Sequence, residues 1–139
     1  DWDKALIVEF NKFGYDKIIK TYQPGGREDL ITIQVAGTQF WRDYGTFFYH
    51  EYFSVYGDDD ITGWASLNNR IIYAPHLEFR HLNPGCNQED GFKHDHVYAR
   101  ENSSEAYRIG EAIYKRRKAN GFSLPFIIGQ DLNMRRELK

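Results

Sequence analysis

Apolar residues near the start of the chain recur with a spacing closer to the helical period than to the strand period. This pattern predicts a helix over residues 3–13 and a second, shorter helix over residues 15–22. The sequence Pro24-Gly25-Gly26 then breaks the pattern and predicts a loop. The apolar positions behind the two helix predictions are Ala5, Leu6, Val8, Phe10, Phe13, Ile18, Ile19 and Tyr22.

The segment after this loop alternates apolar and polar residues and is rich in β-branched side chains. Residues 31–35 are therefore predicted to form a strand that ends at Gly37. Thr38 can cap a short helix that continues through Asp43 and stops at Gly45. The first part of the chain thus combines helices with at least one strand.

The second half of the chain alternates predicted helices with short predicted strands. A helix is expected over 58–67, with its first residue as the N-cap, and further helices are expected over 92–102 and 104–119. Short strands are predicted over 70–73 and 77–80. The inner face of the last helix is predicted to carry Tyr107, Ile109, Ala112, Ile113 and Arg116.

These elements place the chain in the α/β class. About three strands are predicted, and none is a long buried hydrophobic run, which is too few for a free-standing doubly wound sheet. We therefore expect a short mixed sheet flanked by helices, as part of a larger α/β domain; the start at Asp1 without an initiator methionine favours the same interpretation. Residues 1–122 are predicted to be this part of the domain, and residues 123–139 a C-terminal tail or docking arm.

Composition narrows the function classes. The 139 residues are 41% hydrophobic and 27% charged, which is typical of one globular domain. The net charge of -2 gives no general basic field for nucleic acid, and the basic run 115–118 is expected to be a solvated helix end. No apolar run reaches the roughly 20 residues that a membrane span needs. The single cysteine, Cys86, agrees with a reducing compartment, so we expect a cytoplasmic protein.

The acidic run Asp58-Asp59-Asp60 is the main candidate for chemistry. Adjacent carboxylates repel one another, so such a run is expected at a helix N-terminus, around a cation or in a solvated turn. Oxygen ligands suit Mg²⁺ or Mn²⁺, and a carboxylate can instead act as general base toward a hydroxyl group. A solvated helix N-terminus without catalytic function carries about half the weight.

Histidines supply the second set of candidates. His81 follows a predicted strand and precedes a turn, where a lone histidine is more often structural than a ligand unless acids converge on it. His94 and His96 are two residues apart and would point to different faces of a helix, so they are poorly placed to share one ion. Phosphate-binding loops of the GxGxxG or GxxxxGK[ST] type are absent from the sequence.

Several motifs follow one another in a definite order, in segments 35–45, 52–56, 58–60, 72–75 and 79–84. This order resembles the second half of family-2-type glycosyltransferases with the GT-A fold. In that family, a glycine-containing segment and a short helix help to form the acceptor side of the site. An acidic motif at a helix start then supplies the catalytic base, and a strand ending in histidine follows a proline-containing turn.

The resemblance implies roles for individual residues. Asp58 matches the acid that acts as base, and Asp60 matches the second acid of the motif, so both are candidate catalytic residues. His81 matches the histidine that in some relatives contacts the metal or the donor diphosphate. The remaining candidates are expected to bind substrate: Gly37, Thr38, Trp41, Asp59 and Trp64.

The chain departs from the family pattern in two respects. The first half, with its nucleotide-binding strands and the DxD motif, has no counterpart; Asp1-Trp2-Asp3 has the DxD spacing but precedes a helix. The usual glutamate-aspartate pair is replaced by aspartates, which leaves the choice of base open.

The resemblance implies transfer of a sugar from a UDP- or GDP-linked donor to an acceptor glycan or another hydroxyl group, assisted by Mn²⁺ or Mg²⁺. The fragment alone is expected to be inactive or nearly so, and a homo-oligomer is possible. The alternative is a non-catalytic binding or assembly module, in which the aromatic residues of segment 40–56 form a partner surface.

Overall fold

The computed structural model describes residues 1–80 and 95–123. This part contains five helices and three strands. The helices and strands are α1 (Trp2–Phe13), β1 (Ile18–Tyr22), β2 (Val35–Ala36), α2 (Thr38–Tyr44), α3 (Gly57–Leu67), β3 (Ile71–Glu78), α4 (His96–Glu101) and α5 (Ser104–Ala119). The α/β prediction is confirmed: the molecule is mixed α/β with a small three-stranded sheet.

The sheet is mixed, with β1 in the centre of the order β2-β1-β3. β1 pairs in parallel with β3, where Ile18 lies opposite Ile71, and antiparallel with β2, where Ile18 lies opposite Ala36. Ile18 and Ile19 are fully buried. Because adjacent strand residues point to opposite faces, these two isoleucines anchor two separate cores.

The two cores lie on opposite sides of the sheet. Ile19 belongs to a cluster with residues of α1 and β3, whereas Ile18 packs with residues of α2 and α3. Helices therefore cover both faces of β1, as expected for a strand buried on both sides. The first cluster consists of Leu6, Phe10, Ile19, Ile72 and Ala74, and the second of Ile18, Ile31, Phe40, Tyr44, Ile61 and Ala65.

Two predicted elements near the sheet were wrong. Residues 15–22 do not form a helix, because Ile18–Tyr22 is the central strand β1. The strand predicted over 31–35 is reduced to Val35–Ala36, and the buried Ile31 donates its N–H to the Thr62 hydroxyl at 3.0 Å instead of to a strand.

The two strands predicted on either side of Ala74-Pro75 are a single strand, Ile71–Glu78. Pro75 lacks an N–H group, but β3 is an edge strand, where proline is tolerated. The pairing with β1 shifts register between Thr21 and Tyr22, opposite this part of β3. The irregularity accommodates the proline without ending the strand.

Most of the predicted helix bounds agree with the structure. α5 has the predicted bounds, and Ser103 caps it by accepting the N–H of Ala106 at 3.2 Å. α2 ends as predicted at Gly45, which adopts a left-handed conformation at φ 86°. α3 begins at Gly57 with Tyr56 as its N-cap, so Asp58 is not the cap.

The predicted inner face of α5 was mostly wrong. Ile113 is buried as expected, but its buried companions are Gly110 and Arg117. The other predicted inner residues, Tyr107, Ile109, Ala112 and Arg116, are exposed.

Other sequence predictions lie at the edge of the described residues. α4 covers only His96–Glu101 of the helix predicted over 92–102, and residues 92–94 lie outside the described part, as does nearly all of the predicted tail 123–139. Within residues 1–80 and 95–123, no helix is long and apolar enough to cross a membrane. The cytoplasmic location stays a prediction from the sequence.

Candidate functional site

A cleft of about 620 Å³ lies beside the start of α3. Its volume falls within the range of about 300–1,000 Å³ that is typical of small-molecule sites. Three parts of the chain form its walls: the loop before β2, the loop that leads into α3, and the junction of α4 and α5. The lining residues used below are Arg27, Gln34, Tyr56, Asp58, Asp59, Glu101, Asn102 and Tyr107.

The acidic run occupies the first turn of α3, as the sequence predicted in general terms. The partial positive charge at a helix N-terminus offsets part of the repulsion between the carboxylates. Successive helical residues are rotated by about 100°, so the three side chains point in different directions. Asp58, Asp59 and Asp60 therefore meet three different environments.

Asp60 points into the protein and is fully buried. Arg117 from α5 binds it at two points, with Nε 2.8 Å from Oδ2 and Nη2 2.9 Å from Oδ1. The hydroxyl groups of Tyr44 and Tyr52 donate to the two carboxylate oxygens at 2.6 and 2.9 Å. The Arg117 guanidinium also lies 4.0 Å from the centre of the Tyr49 ring. The four hydrogen bonds from Arg117, Tyr44 and Tyr52 satisfy a charge that would otherwise be costly to bury.

The pKa values of the groups around Asp60 reflect this burial. Burial and the hydrogen bond to Asp60 raise the pKa of the Tyr44 hydroxyl, and burial and the charge of Asp60 raise the pKa of Tyr52. Burial lowers the pKa of Arg117, but its hydrogen bonds and ion pair with Asp60 raise it by more. The two tyrosines stay neutral donors and Arg117 stays charged. Asp60 is consequently enclosed by donors and offers no oxygen to the cleft.

Asp59 is bound by a second arginine. Arg27, in the loop before β2, places its Nη1 3.0 Å from Asp59 Oδ1. The other side of the same guanidinium binds Asp29, with Nε at 3.1 Å and Nη2 at 2.9 Å. Hydrogen bonds to Asp29 are the main reason that the pKa of Arg27 is raised, against a smaller lowering by burial. Arg27 thus ties the loop wall of the cleft to α3.

Asp58 differs from both neighbours, because in residues 1–80 and 95–123 no arginine or lysine forms an ion pair with it. It is half-buried and lines the cleft. Burial, and then the negative charge of Asp59, raise its pKa above the ordinary aspartate value of 3.8. Its Oδ1 accepts the N–H of Asp59 at 3.1 Å. Asp58 is therefore the carboxylate of the run that is placed to exchange a proton with a bound molecule.

Tyr56 joins the acidic run to the aromatic part of the cleft. It is the N-cap of α3 and has a left-handed backbone, with φ 72°. This conformation costs a bulky residue of the order of 1–3 kcal/mol and persists only where surrounding contacts hold it. The Tyr56 ring lies between those of Tyr107 and Tyr114, with centroid distances of 6.2 and 5.7 Å.

The predicted substrate-binding residues other than Asp59 lie away from this cleft. Trp41 and Trp64 pack against the core cluster of α2 and α3; Trp64 lies edge-on to Phe40 at 5.3 Å. Thr38 is the exposed first residue of α2. The described residues that line the cleft do not include Gly37, Thr38, Trp41 or Trp64. Their substrate-binding roles stay predictions.

Gly37 has a structural explanation. It precedes α2 and donates its N–H to the Lys17 carbonyl at 3.1 Å. A Cβ atom at this position would lie 2.0 Å from the Tyr15 carbonyl oxygen, so only glycine fits.

The metal prediction rests partly on residues outside the described part. His81, the predicted metal ligand, lies there, so its convergence with Asp58 and Asp60 stays a prediction. In residues 1–80 and 95–123 no three His, Cys, Asp or Glu side chains are grouped to hold a metal ion. Magnesium sites often use only one or two protein carboxylates together with substrate phosphates, which is a role that Asp58 is chemically able to fill.

The sequence pattern did not identify the two arginines, Arg27 and Arg117, that give the acids of the run different environments. Arg117 was assigned to a solvated basic patch, although it lies four residues after the buried Ile113 and so on the same helical face. Arg27 sits in a loop, and no sequence spacing links it to Asp59.

Comparison of the chain with protein-family models, with curated proteins and with solved structures finds no match in any of the three.

Proposed function

We propose that this chain carries the acceptor side of a glycosyl-transfer site, in which Asp58 takes the proton of the acceptor hydroxyl group. The observation that carries the proposal is the difference within the acidic run: Arg117 binds Asp60, Arg27 binds Asp59, and Asp58 faces the cleft with a raised pKa. A carboxylate whose pKa is raised toward the working pH is a better general base than an ordinary one.

The proposed reaction is a direct displacement. The acceptor oxygen forms a bond to the anomeric carbon of the donor sugar while its proton moves to a carboxylate oxygen of Asp58. The bond between that carbon and the diphosphate oxygen breaks, and the electron pair leaves with the nucleoside diphosphate. Mn²⁺ or Mg²⁺, when bound, would neutralise charge on the departing diphosphate. Asp58 then releases its proton to solvent at the open side of the cleft.

The resemblance in the motif order supplies the substrate classes of this proposal: a UDP- or GDP-linked sugar as donor and a glycan or other hydroxyl compound as acceptor. The choice of Asp58, rather than Asp60, as the proposed base is supported by the burial and pairing of Asp60 described above. Asp60 and Arg117 hold the first turn of α3 in place and so position Asp58.

A non-catalytic binding module is the second candidate, because segment 40–56 exposes aromatic side chains. Phe47 is 60% exposed and Phe48 is 45% exposed, and their ring centroids lie 5.0 Å apart. Exposed aromatic residues near one another are typical of protein interfaces. In this alternative the acidic run only stabilises the start of α3, and a homo-oligomer would be one possible assembly.

Release of nucleoside diphosphate from UDP- and GDP-sugars, measured with Mn²⁺ and a panel of hydroxyl acceptors, tests the proposal in the full-length protein. We expect Asp58→Asn to lower turnover by roughly 10²- to 10⁴-fold, the usual contribution of a general base. Asp59→Asn should lower it less, and Asp3→Asn, an exposed acid of α1, serves as the charge-matched control.

Two outcomes would contradict the proposal. If no donor yields sugar transfer with the wild-type protein, the binding module becomes the better interpretation. If Asp58→Asn and Asp3→Asn transfer sugar at the same rate, Asp58 is not the base.

A further inference from the structure

The described walls of the cleft carry more acidic than basic side chains. Its described lining contains three acids, Asp58, Asp59 and Glu101, and one cation, Arg27. Arg27 is already occupied by Asp29 and Asp59. An incoming anion would therefore find no unpaired guanidinium or ammonium group on the described walls.

The ion-pair partners of these residues do not change the balance. Glu101 accepts a hydrogen bond from Arg100 at 2.8 Å, and Arg100 lines a neighbouring groove instead of the cleft. The four acids, including Asp29, still outnumber the two arginines. Like charges that meet at a binding surface oppose association, whereas an uncharged molecule avoids this cost.

Aromatic and amide side chains face the same cleft. Tyr56 and Tyr107 stand edge to face, at an interplanar angle of 79°, and Tyr107 is 48% exposed. Gln34 and Asn102 contribute amide groups, which both donate and accept hydrogen bonds. A sugar ring has apolar C–H faces and a rim of hydroxyl groups, so it matches a tyrosine face surrounded by amides and carboxylates.

The backbone of Tyr56 indicates that this aromatic arrangement is maintained at a cost. Its left-handed conformation is held by the rings of Tyr107 and Tyr114 and by close approach to α5, where Gly110 leaves room for the Tyr56 ring. Strained backbone that is fixed by its surroundings is concentrated at functional sites.

We propose that the acceptor bound in this cleft is an uncharged carbohydrate, packed against Tyr107, and that acceptors carrying a carboxylate, phosphate or sulfate group are rejected. That the bound carbohydrate acts as an acceptor rests on the proposed function. The binding preference itself requires no donor and no turnover. Asp59 and Glu101 set the charge preference, and Tyr107 supplies affinity that is independent of charge.

Titrations of the full chain followed by amide NMR test this preference in the absence of donor and metal. The probes are the methyl glycosides of glucose, galactose and mannose, each paired with the methyl glycoside of the corresponding uronic acid, which differs only in carrying C6 as a carboxylate instead of a hydroxymethyl group. We expect at least one neutral glycoside to shift signals of the cleft residues and to bind roughly tenfold or more tightly than its uronic acid.

Variants separate the two contributions. Glu101→Gln and Asp59→Asn should bring the dissociation constants of each neutral probe and its uronic acid closer together. Glu105 is an exposed acid of α5 outside the cleft, so Glu105→Gln should leave the ratio of the two constants unchanged. Tyr107→Ala should weaken both members of a pair by a similar factor, roughly 5- to 30-fold, as expected for loss of an aromatic contact. Tyr73→Ala, an exposed tyrosine of β3, is its control.

The preference is overturned if a uronic acid binds as tightly as its neutral partner, or if none of the six probes shifts signals of the cleft. Failure of the proposed function looks different: neutral glycosides would bind with the expected preference, but no nucleoside diphosphate would be released from any donor.

Discussion

Arg117 and Asp60 form a two-point ion pair that is almost completely buried, with exposed side-chain fractions of 3% and 0%. It joins α5 to the first turn of α3, so it fixes the helix that carries Asp58. Removing one partner of such a pair leaves the other as an uncompensated buried charge.

We therefore expect Arg117→Leu to lower the free energy of unfolding by about 3–5 kcal/mol. Urea denaturation followed by circular dichroism measures this change. Arg116→Gln is the matched control, because Arg116 is exposed and its ion pair with Glu51 lies at the surface. Similar stability of the two variants would show that the buried pair is not needed to hold α5 on α3.

The raised pKa of Asp58 predicts a pH dependence of stability. Asp58 binds its proton more tightly in the folded than in the unfolded chain, so the folded state holds more protons between 3.8 and the folded pKa. In that range the free energy of unfolding falls as the pH rises, and the loss is complete above the folded pKa. Asp58→Asn should consequently be more stable than wild type at pH 7, and the difference should vanish below about pH 4.

Glu51→Gln should show the opposite dependence in the same denaturation series. A hydrogen bond from Tyr49, followed by those from Arg116, lowers the pKa of Glu51. Its stabilising contribution is present above the unfolded pKa and is lost as the pH falls through the folded pKa. Glu51→Gln should be less stable than wild type at pH 7 and equal to it in acid. If Asp58→Asn followed the Glu51→Gln curve, the environment assigned to Asp58 would be wrong.

Local signals predicted the five described helices, although they also predicted a helix over 15–22, where the structure has β1. Ser103 and Gly121 bracket α5, and Gly45 ends α2, because caps and left-handed glycines act on their immediate neighbours. β1 could not be recognised in this way: its Ile18-Ile19 pair is buried on both faces of the sheet, so the alternation typical of a strand is lost.

The site was predictable only in part, for a similar reason. The charge and helical position of residues 58–60 are local properties, and the sequence identified them. The different environments of the three acids depend on Arg27 and Arg117, which are 32 and 57 residues away along the chain. Which carboxylate remains available is therefore a property of the tertiary fold.

The close contact at Gly37 gives a prediction that distinguishes packing from substrate binding. A Cβ atom at this position would lie 2.0 Å from a backbone oxygen, that of Tyr15, which cannot move aside as a side chain can. We expect Gly37→Ala to lower the free energy of unfolding by about 1–3 kcal/mol or more. Gly26→Ala, whose added Cβ would lie 3.1 Å from the Gln23 side chain, should cost less in the same urea denaturation assay. A stable Gly37→Ala protein with weakened acceptor binding would favour the substrate-binding role instead.

Gly110 provides the last prediction, because it is the point where α5 approaches the strained Tyr56. Replacing glycine by alanine inside a helix normally stabilises it by about 1 kcal/mol. At Gly110, however, the added Cβ would lie 2.7 Å from Cδ2 of Tyr56 and 3.0 Å from the Val55 carbonyl oxygen.

We expect Gly110→Ala to be destabilised by about 1–3 kcal/mol despite its better helix propensity, since the Val55 backbone and the Tyr56 ring must shift to admit the methyl group. Ala112→Gly is the reverse exchange at an exposed position of the same helix, so it measures the effect of helix propensity alone. It should lower the free energy of unfolding by about 1 kcal/mol. Combining Gly110→Ala with Tyr56→Ala should recover part of the loss, and the coupling in a double-mutant cycle should be about 0.5–3 kcal/mol. If Gly110→Ala gained stability by the amount that Ala112→Gly loses, α5 would not press on Tyr56, and the explanation given for its left-handed backbone would fail.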